Sequence, residues 1–281
     1  MRIYLFAALG LLFLFTGCNK KKQEQLTASG FRYTVHVDKD GDAPAPGDIV
    51  FFHATVRRDG SDSIYYSTRT SGEEVPSLQI PTEEIPGQPA SPVLELVRVL
   101  SLGDSATVVY QVDTMAQKPM GFEDAKELYY DIVIVEIKKM SELKGEEDRV
   151  AALVNEFAKT VSEGKQPEGI KTTPSGLQYV ILKQGNGATA DPGKDVEVNY
   201  YGALPDGTLF DTSLSRGTPL PFKLGDPGLI PGWTEGVDLL NQGGQAILYI
   251  PSELGYGEAG APPVIPGNSK LVFYIEVVSV K

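Results

Sequence analysis

Cysteine, histidine and positive charge are all scarce in this chain of 281 residues, and each scarcity removes a class of function. Cys18 is the single cysteine, so no intrachain disulfide can form. His36 and His53 are the only histidines, and with no cysteine beyond Cys18 a histidine–cysteine metal site is absent. No metal and no cofactor is therefore expected. Neither histidine sits in the context of a Ser-His-Asp motif. The glycine runs contain no phosphate-loop pattern. Lys and Arg number 25 against 37 Asp and Glu, a formal net charge of −12. Such a balance argues against nucleic acid as a partner, because affinity there rests on cationic contacts to phosphates. Long apolar runs are lacking too: the one from Ile3 to Phe15 is shorter than the about 20 residues a spanning helix needs.

That run nevertheless has a reading. "MRIYLFAALGLLFLFTGC" opens with Arg2, continues through the apolar stretch and ends in Thr16, Gly17 and Cys18. This is the layout of a secretory signal peptide over 1–17, the alternative being an N-terminal anchor helix that stays on. A lone cysteine directly after Thr-Gly resembles a bacterial lipobox, with Phe15 where leucine is usual. The resemblance implies cleavage before Cys18, acylation of Cys18, and a lipid-anchored protein of the cell envelope facing the periplasm or the exterior. Residues 18–27 then read as a solvated tether, with Lys20, Lys21 and Lys22 near anionic headgroups. Removing 1–17 takes away one positive charge, Arg2, and −12 becomes −13. Hydrophobic content of 41% and the length that remains suit two globular domains.

An internal repeat supports two. "SGFRYTV" at 29–35 echoes "SGLQYVI" at 175–181, and Pro46-Gly47 and Pro192-Gly193 follow at the same distance. The strand-like runs "IVFFHATV" and "VEVNYYGAL" come next, each leading to an Asp-Gly pair, at 59–60 and 206–207. "LSLGDSATVVYQV" parallels "LNQGGQAILYIP", and "LYYDIVIVEI" parallels "LVFYIEVVSV". One architecture is thus expected twice, over 28–140 and 172–281. Between the copies, over 141–171, Val150, Leu153, Val154, Phe157 and Val161 share one helical face. Glu146, Glu147 and Asp148 suit its N-terminal turn and Gly164 its end. This linking helix either packs on a domain or a second chain, or is a spacer with a weakly buried stripe.

Each copy reads as antiparallel strands around one short helix, an α+β fold. The strand candidates of the second copy are "GLQYVIL", "VEVNYYGAL", "QAILYI" and "KLVFYIEVV". Its one helical candidate is "PGWTEGVDLLNQ", with Trp233, Val237 and Leu240 on one face. The only tryptophan of the chain therefore stands in the first turn of that helix, where it can floor a cleft. Gly232 and Gly236 would leave room around it.

"VEVNYYGALPDGTLFDTS", "PFKLGDPGLIPGWTEGV" and "SELGYGEAGAPPVIPGNSKLVF" together resemble the FKBP-type, macrolide-binding peptidyl-prolyl isomerases, over the whole of 172–281 and in order. The entry "TTPSGLQYVIL" after a helix is similar to the macrophage infectivity potentiator-like branch, which is extracytoplasmic and often dimeric. The resemblance implies a catalytic pocket of Tyr200, Phe210, Asp211, Ile230, Trp233, Tyr256 and Phe273, with Leu220, Leu229, Val264 and Ile265 binding substrate. Leu220 replaces an aromatic wall residue. It also implies proline-containing segments of exported proteins and macrolide inhibitors as partners, a membrane reached through the lipid, and a possible homodimer. Turning an X–Pro amide breaks no bond, so an aromatic box that favours the twisted amide is a sufficient catalyst. The first copy departs from this pattern: His53 is read in the place of Tyr200, Tyr65-Tyr66 in that of Phe210-Asp211, and Val93 in that of Trp233. It is expected to be a degenerate copy, serving as scaffold, chaperone surface or dimer contact. A non-enzymatic chaperone or peptide-binding module on the same fold is the alternative function.

Overall fold

The computed structural model describes residues 23–72, 75–113 and 118–281. The expected signal segment, Cys18 and Lys20–Lys22 lie outside the described residues. The chain divides into two compact units, the second comprising 137–281 together with 45–49 and 79–83. No helix among the described residues is long and apolar enough to cross a membrane.

The first sheet, carried by the first unit except for the strand-end residues Ile49, Gln79, Ile137 and Lys138, which belong to the second, has the strands β1 (Glu24–Leu26), β2 (Arg32–Val37), β3 (Ile49–Arg58), β4 (Tyr66–Ser67), β5 (Ser77–Gln79), β6 (Ser105–Gln111) and β7 (Glu127–Lys138). They form a seven-stranded sheet in the order β1-β2-β6-β7-β3-β4, with β5 on β3. Its helix is α1 (Pro92–Val97), capped by Ser91, whose Oγ accepts from Leu94 N–H, and opened by a proline at the first position. Val50, Phe52, Ala106, Val108, Ile132 and Ile134 alternate along the strands and are buried, as are Leu96, Val97 and Leu100 of the helix segment.

The second unit opens with α2 (Met140–Ser162). Its strands are β8 (Lys171–Thr172), β9 (Gln178–Lys183), β10 (Asp195–Ala203), β11 (Leu209–Thr212), β12 (Leu220–Lys223), β13 (Gln245–Ile250) and β14 (Leu271–Val280), and its second helix is α3 (Pro231–Asp238). Strand order is β8-β9-β13-β14-β10-β11 with β12 on β10, the same path as in the first unit. Alternate residues bury opposite faces. Val196, Val198, Tyr200, Leu248, Ile250, Phe273 and Ile275 join Trp233 and Val237 of α3 in one core. Tyr201, Ala203, Ile247, Tyr249, Val272 and Tyr274 point the other way and meet Val150, Val154, Phe157 and Ala158 of α2. The linking helix is therefore a layer of the second unit, packed on its sheet. It starts at Met140, earlier than expected, so Glu146, Glu147 and Asp148 lie beyond its first turn. There Glu146 pairs with Arg149 and Asp148 with Lys144. Gly164, at φ +71°, follows its last turn.

Matching hydrogen bonds set the correspondence between the units. Gly47 N–H donates to Ile80 O as Gly193 N–H does to Leu224 O, and Thr68 N–H to Ala54 O as Ser213 N–H does to Tyr200 O. Ala54, not His53, thus stands where Tyr200 does. Counted from the shared Pro-Gly pair, Gly47 with Gly193, position 200 falls on 54, so the reading of His53 is one residue short, and Asp48 accepts from Ile80 as Lys194 does from Leu224. A slip of one residue moves every side chain to the other face of a strand. His53 corresponds to Asn199: His53 Nδ1 bonds Thr68 Oγ1, and Ser213 Oγ bonds Asn199 Oδ1. Tyr66 pairs opposite Val56 as Asp211 does opposite Gly202, and Leu100 N–H donates to Val97 O as Leu240 N–H does to Val237 O, which sets Val93 level with Trp233.

Candidate functional site

Tyr200 faces the α3 side of β10. On the neighbouring strand β11, Asp211 pairs opposite Gly202. A Cβ on Gly202 would lie 2.6 Å from both Phe210 and Phe273, so only glycine lets those rings meet. Ile230 precedes α3 as its N-cap and Pro231 fixes the first helical φ. Gly232 and Gly236 do a different job from the one expected. Added Cβ atoms would run into Ile250 (2.5 Å at Gly232) and Leu248, so the two glycines bring α3 down onto β13. The room they leave belongs to the sheet.

Trp233 is consequently 4% exposed, at once a core residue and the floor of a cleft. Its ring meets Tyr200 edge-on at 5.4 Å between centroids, Phe273 at 5.9 Å and Phe222 at 5.2 Å. Phe210 stands edge-on to Phe273 at 5.3 Å. Edge-to-face packing of this kind holds each ring in one orientation. The cleft is lined by Tyr200, Phe210, Asp211, Leu220, Gly228, Leu229, Ile230, Trp233, Tyr256 and Phe273, and holds about 130 Å³. A cavity of roughly 150 Å³ takes a benzene ring, so the space suits one small ring. Val264 and Ile265 are not among the lining residues. Val264 is exposed, and Ile265 is buried in the α3-side core while pairing with Ala261.

The polar wall is a closed set of three groups. Tyr200 donates its hydroxyl hydrogen bond to Asp211 Oδ2. Arg216 Nη1 donates to Asp211 Oδ1 at 2.8 Å and Nη2 to the Tyr200 hydroxyl at 2.7 Å, with the guanidinium 5.6 Å from the Tyr200 ring centre. Burial, then the bond to Asp211, pushes Tyr200 up to about 12. Burial acts upward on Asp211 as well, but hydrogen bonds from Tyr200 and Arg216 outweigh it and hold the carboxyl below its usual range. Near neutral pH Asp211 is therefore held as a carboxylate and Tyr200 as a neutral phenol. Two donors remain available: Ile230 N–H and the Tyr256 hydroxyl have no acceptor among the described residues. Burial and the charge of Asp211 keep Tyr256 protonated.

Arg216 was not among the residues picked out from sequence, and neither was Gly228. The signal for Arg216 was an arginine five positions after Asp211, inside a loop short enough to fold back. Among the described residues no group of three His, Cys, Asp or Glu could hold a metal ion.

Comparison with known proteins adds an independent line. Residues 187–278 match the family model of the FKBP-type peptidyl-prolyl cis-trans isomerases. The matched FKBP-type segment contains every residue lining the cleft. A probable FKBP-type isomerase FkpA from Neisseria meningitidis serogroup B is 48% identical over 120 residues, covering 43% of each chain. FkpA of Escherichia coli K12 is 45% identical over 141 residues, covering 50% of this chain and 47% of that one. The FKBP-type 22 kDa isomerase of the same organism is 42% identical over 132 residues, 47% of this chain and 63% of its own. The chain thus spans about half the length of the curated relatives it matches.

Proposed function

We propose that the second unit is a peptidyl-prolyl cis-trans isomerase that assists the folding of exported proteins, and that macrolides of the kind the family binds occupy the same cleft. The observation that carries this is the ring-sized aromatic cleft over Trp233, bounded by a carboxylate whose two oxygens accept from Tyr200 and Arg216. Rotation about the X–Pro bond faces a barrier of about 18–20 kcal/mol because amide resonance is lost. The twisted amide is less polar at its carbonyl than the planar one. An apolar box binds it better than it binds either planar isomer, and that difference is the catalysis. Trp233 receives the pyrrolidine ring, Phe210, Phe273, Leu220 and Leu229 exclude water, and Ile230 N–H and the Tyr256 hydroxyl hold substrate carbonyls. Asp211 is a fixed polar wall against the turning carbonyl.

The first unit has Ala54, Tyr66 and Val93 at the places of Tyr200, Asp211 and Trp233, and we infer that it is a degenerate FKBP-like domain without turnover. The reading assigns 28–140 to that domain and 172–281 to the isomerase domain, which α2 completes. We further propose that 1–17 is a signal peptide and that Cys18 carries a lipid placing the protein at a membrane of the cell envelope. The homodimer that the resemblance implies belongs to the same proposal, through a surface other than the apolar stripe of α2, which lies against its own sheet.

A protease-coupled assay on a proline tetrapeptide with residues 23–281 tests the activity. Wild type should accelerate isomerisation. Tyr256→Phe should lower kcat/KM about tenfold, the worth of one hydrogen bond of about 1.4 kcal/mol, and Trp233→Ala should leave no measurable turnover. Full activity in Trp233→Ala would place the chemistry outside this cleft.

A further inference from the structure

Inside the cleft Arg216 is held at its guanidinium, by Asp211 and Tyr200. Its side chain is half exposed, so packing does not fix the direction in which the guanidinium points. The loop that carries it is held from behind. Arg216 N–H donates to Ser213 O and Gly217 N–H to Leu214 O, two successive turns. Leu214 is buried in the cluster between α2 and the sheet. Immediately after Arg216, the Gly217 carbonyl accepts a hydrogen bond from Lys138 Nζ at 2.6 Å. Gly217 lies so close to this support that an added Cβ would be 3.0 Å from Ile49, 3.3 Å from Leu143 and 3.3 Å from the Lys138 chain, and its φ of +65° favours glycine.

The support is itself fixed. Lys138 is followed by Lys139 and by Met140, the first residue of α2. Met140 N–H donates to Asp48 Oδ1 at 2.9 Å, and Lys139 Nζ pairs with Asp48 Oδ2 at 3.2 Å. Asp48 is 3% exposed, and its carboxylate does for α2 what a capping side chain at Lys139 does not. Lys138 therefore leads straight into two residues anchored on Asp48, and its charged end donates to the carbonyl next to Arg216.

We propose that Lys138 is a positioning residue for the isomerase site, acting through the 213–217 loop to set Arg216 on Asp211 and Tyr200. This rests on the isomerase reading of the cleft. A charge-assisted hydrogen bond to the carbonyl of the next residue fixes the backbone from which the guanidinium reaches Asp211 and Tyr200. Without it, the Tyr200 hydroxyl and Asp211 lose the donor that locks their geometry.

The test is a double-mutant cycle in residues 23–281. Lys138→Met keeps the unbranched chain as far as Cε and removes the donor. It should lower kcat about five- to tenfold with little change in KM, since a displaced catalytic wall costs rate more than binding. Lys138→Arg should restore most of the loss. In an Arg216→Ala background, Lys138→Met should have no further effect, because the group it positions is gone. A second readout needs no turnover. Trp233 is the only tryptophan and Tyr200 sits edge-on to it, so ligand-free emission should shift in the same sense in Lys138→Met and Arg216→Ala, and no further in the double variant. Additive losses or additive emission shifts would overturn the proposal, as would wild-type kcat in Lys138→Met. If the wild type shows no isomerase activity the functional reading fails, and the emission cycle still decides whether Lys138 acts through Arg216.

Discussion

Asp211 has both carboxylate oxygens occupied, one by Tyr200 and one by Arg216. Its part in the site is fixed by those two donors, and their effect on its charge has a direction. The carboxyl is held below its ordinary value, so the stability linked to it is complete above the unfolded value near 4 and is lost as pH falls through the depressed folded value. Tyr200 runs the opposite way. Its folded value is raised to about 12, so its contribution is complete below the ordinary value of about 10 and is lost as pH rises through the folded one. Between the two, nothing in the cleft titrates. We therefore expect kcat/KM to be flat from about pH 5 to about pH 9, with Asp211→Asn lower throughout and equally flat. An inflection near neutrality in wild type that disappears in Asp211→Asn would show that the carboxylate exchanges a proton. Sequence made the carboxylate visible and hid its partner. Asp211 came with a resemblance, whereas Arg216 is one arginine among 25 basic residues until the loop closes it onto Tyr200.

At the scale of elements, α2 shows what periodicity can and cannot tell. The stripe Val150, Val154, Phe157 marks a helix with one buried face, but a stripe does not name what it packs against. The other half of the information was in the strands. "NYYGA", "AILYI" and "LVFYI" are apolar at successive positions rather than alternate ones, as strands buried on both faces are. Tyr200 and Tyr201 belong to different layers. The corresponding positions of the first sheet are polar: Arg57 pairs with Asp131 and Thr107 donates to Asp131, where the second sheet has Ala203, Tyr274 and Ile247. The repeat was therefore legible as a repeat, while the difference in layering depended on reading one face against the other, and the register slip at His53 obscured that face. A fragment 172–281, complete by resemblance, lacks this layer. Each large apolar side chain buried contributes about 1.5–3 kcal/mol, so losing Val150, Val154 and Phe157 removes on the order of 5 kcal/mol from a domain whose whole stability is about 5–15 kcal/mol. We expect 172–281 to bind a hydrophobic dye and to unfold at much lower urea than 139–281. Equal midpoints for the two fragments would make α2 a spacer.

For the whole molecule the question is how so acidic a chain would stay at a membrane. A formal charge of −12, or −13 without 1–17, is repelled by anionic headgroups, and Lys20, Lys21 and Lys22 offset it only locally. No helix among the described residues could cross the bilayer. Under the lipoprotein proposal the hold is therefore covalent lipid alone. One acyl chain gives marginal, reversible binding and two or more give a stable anchor, which leads to a specific expectation. Wild type expressed from its full gene should fractionate with membranes, stay there in about 1 M salt, where the Debye length falls to about 3 Å, and leave only in detergent. Cys18→Ser should appear in the soluble fraction, with unchanged isomerase activity on a free tetrapeptide, because Cys18 is no part of the cleft. Mass spectrometry of the wild-type N-terminal peptide should find the acyl groups on Cys18. Release of wild type by salt would point to the lysines as the attachment, and membrane retention of Cys18→Ser would point to an uncleaved apolar segment; either result would end the lipoprotein reading.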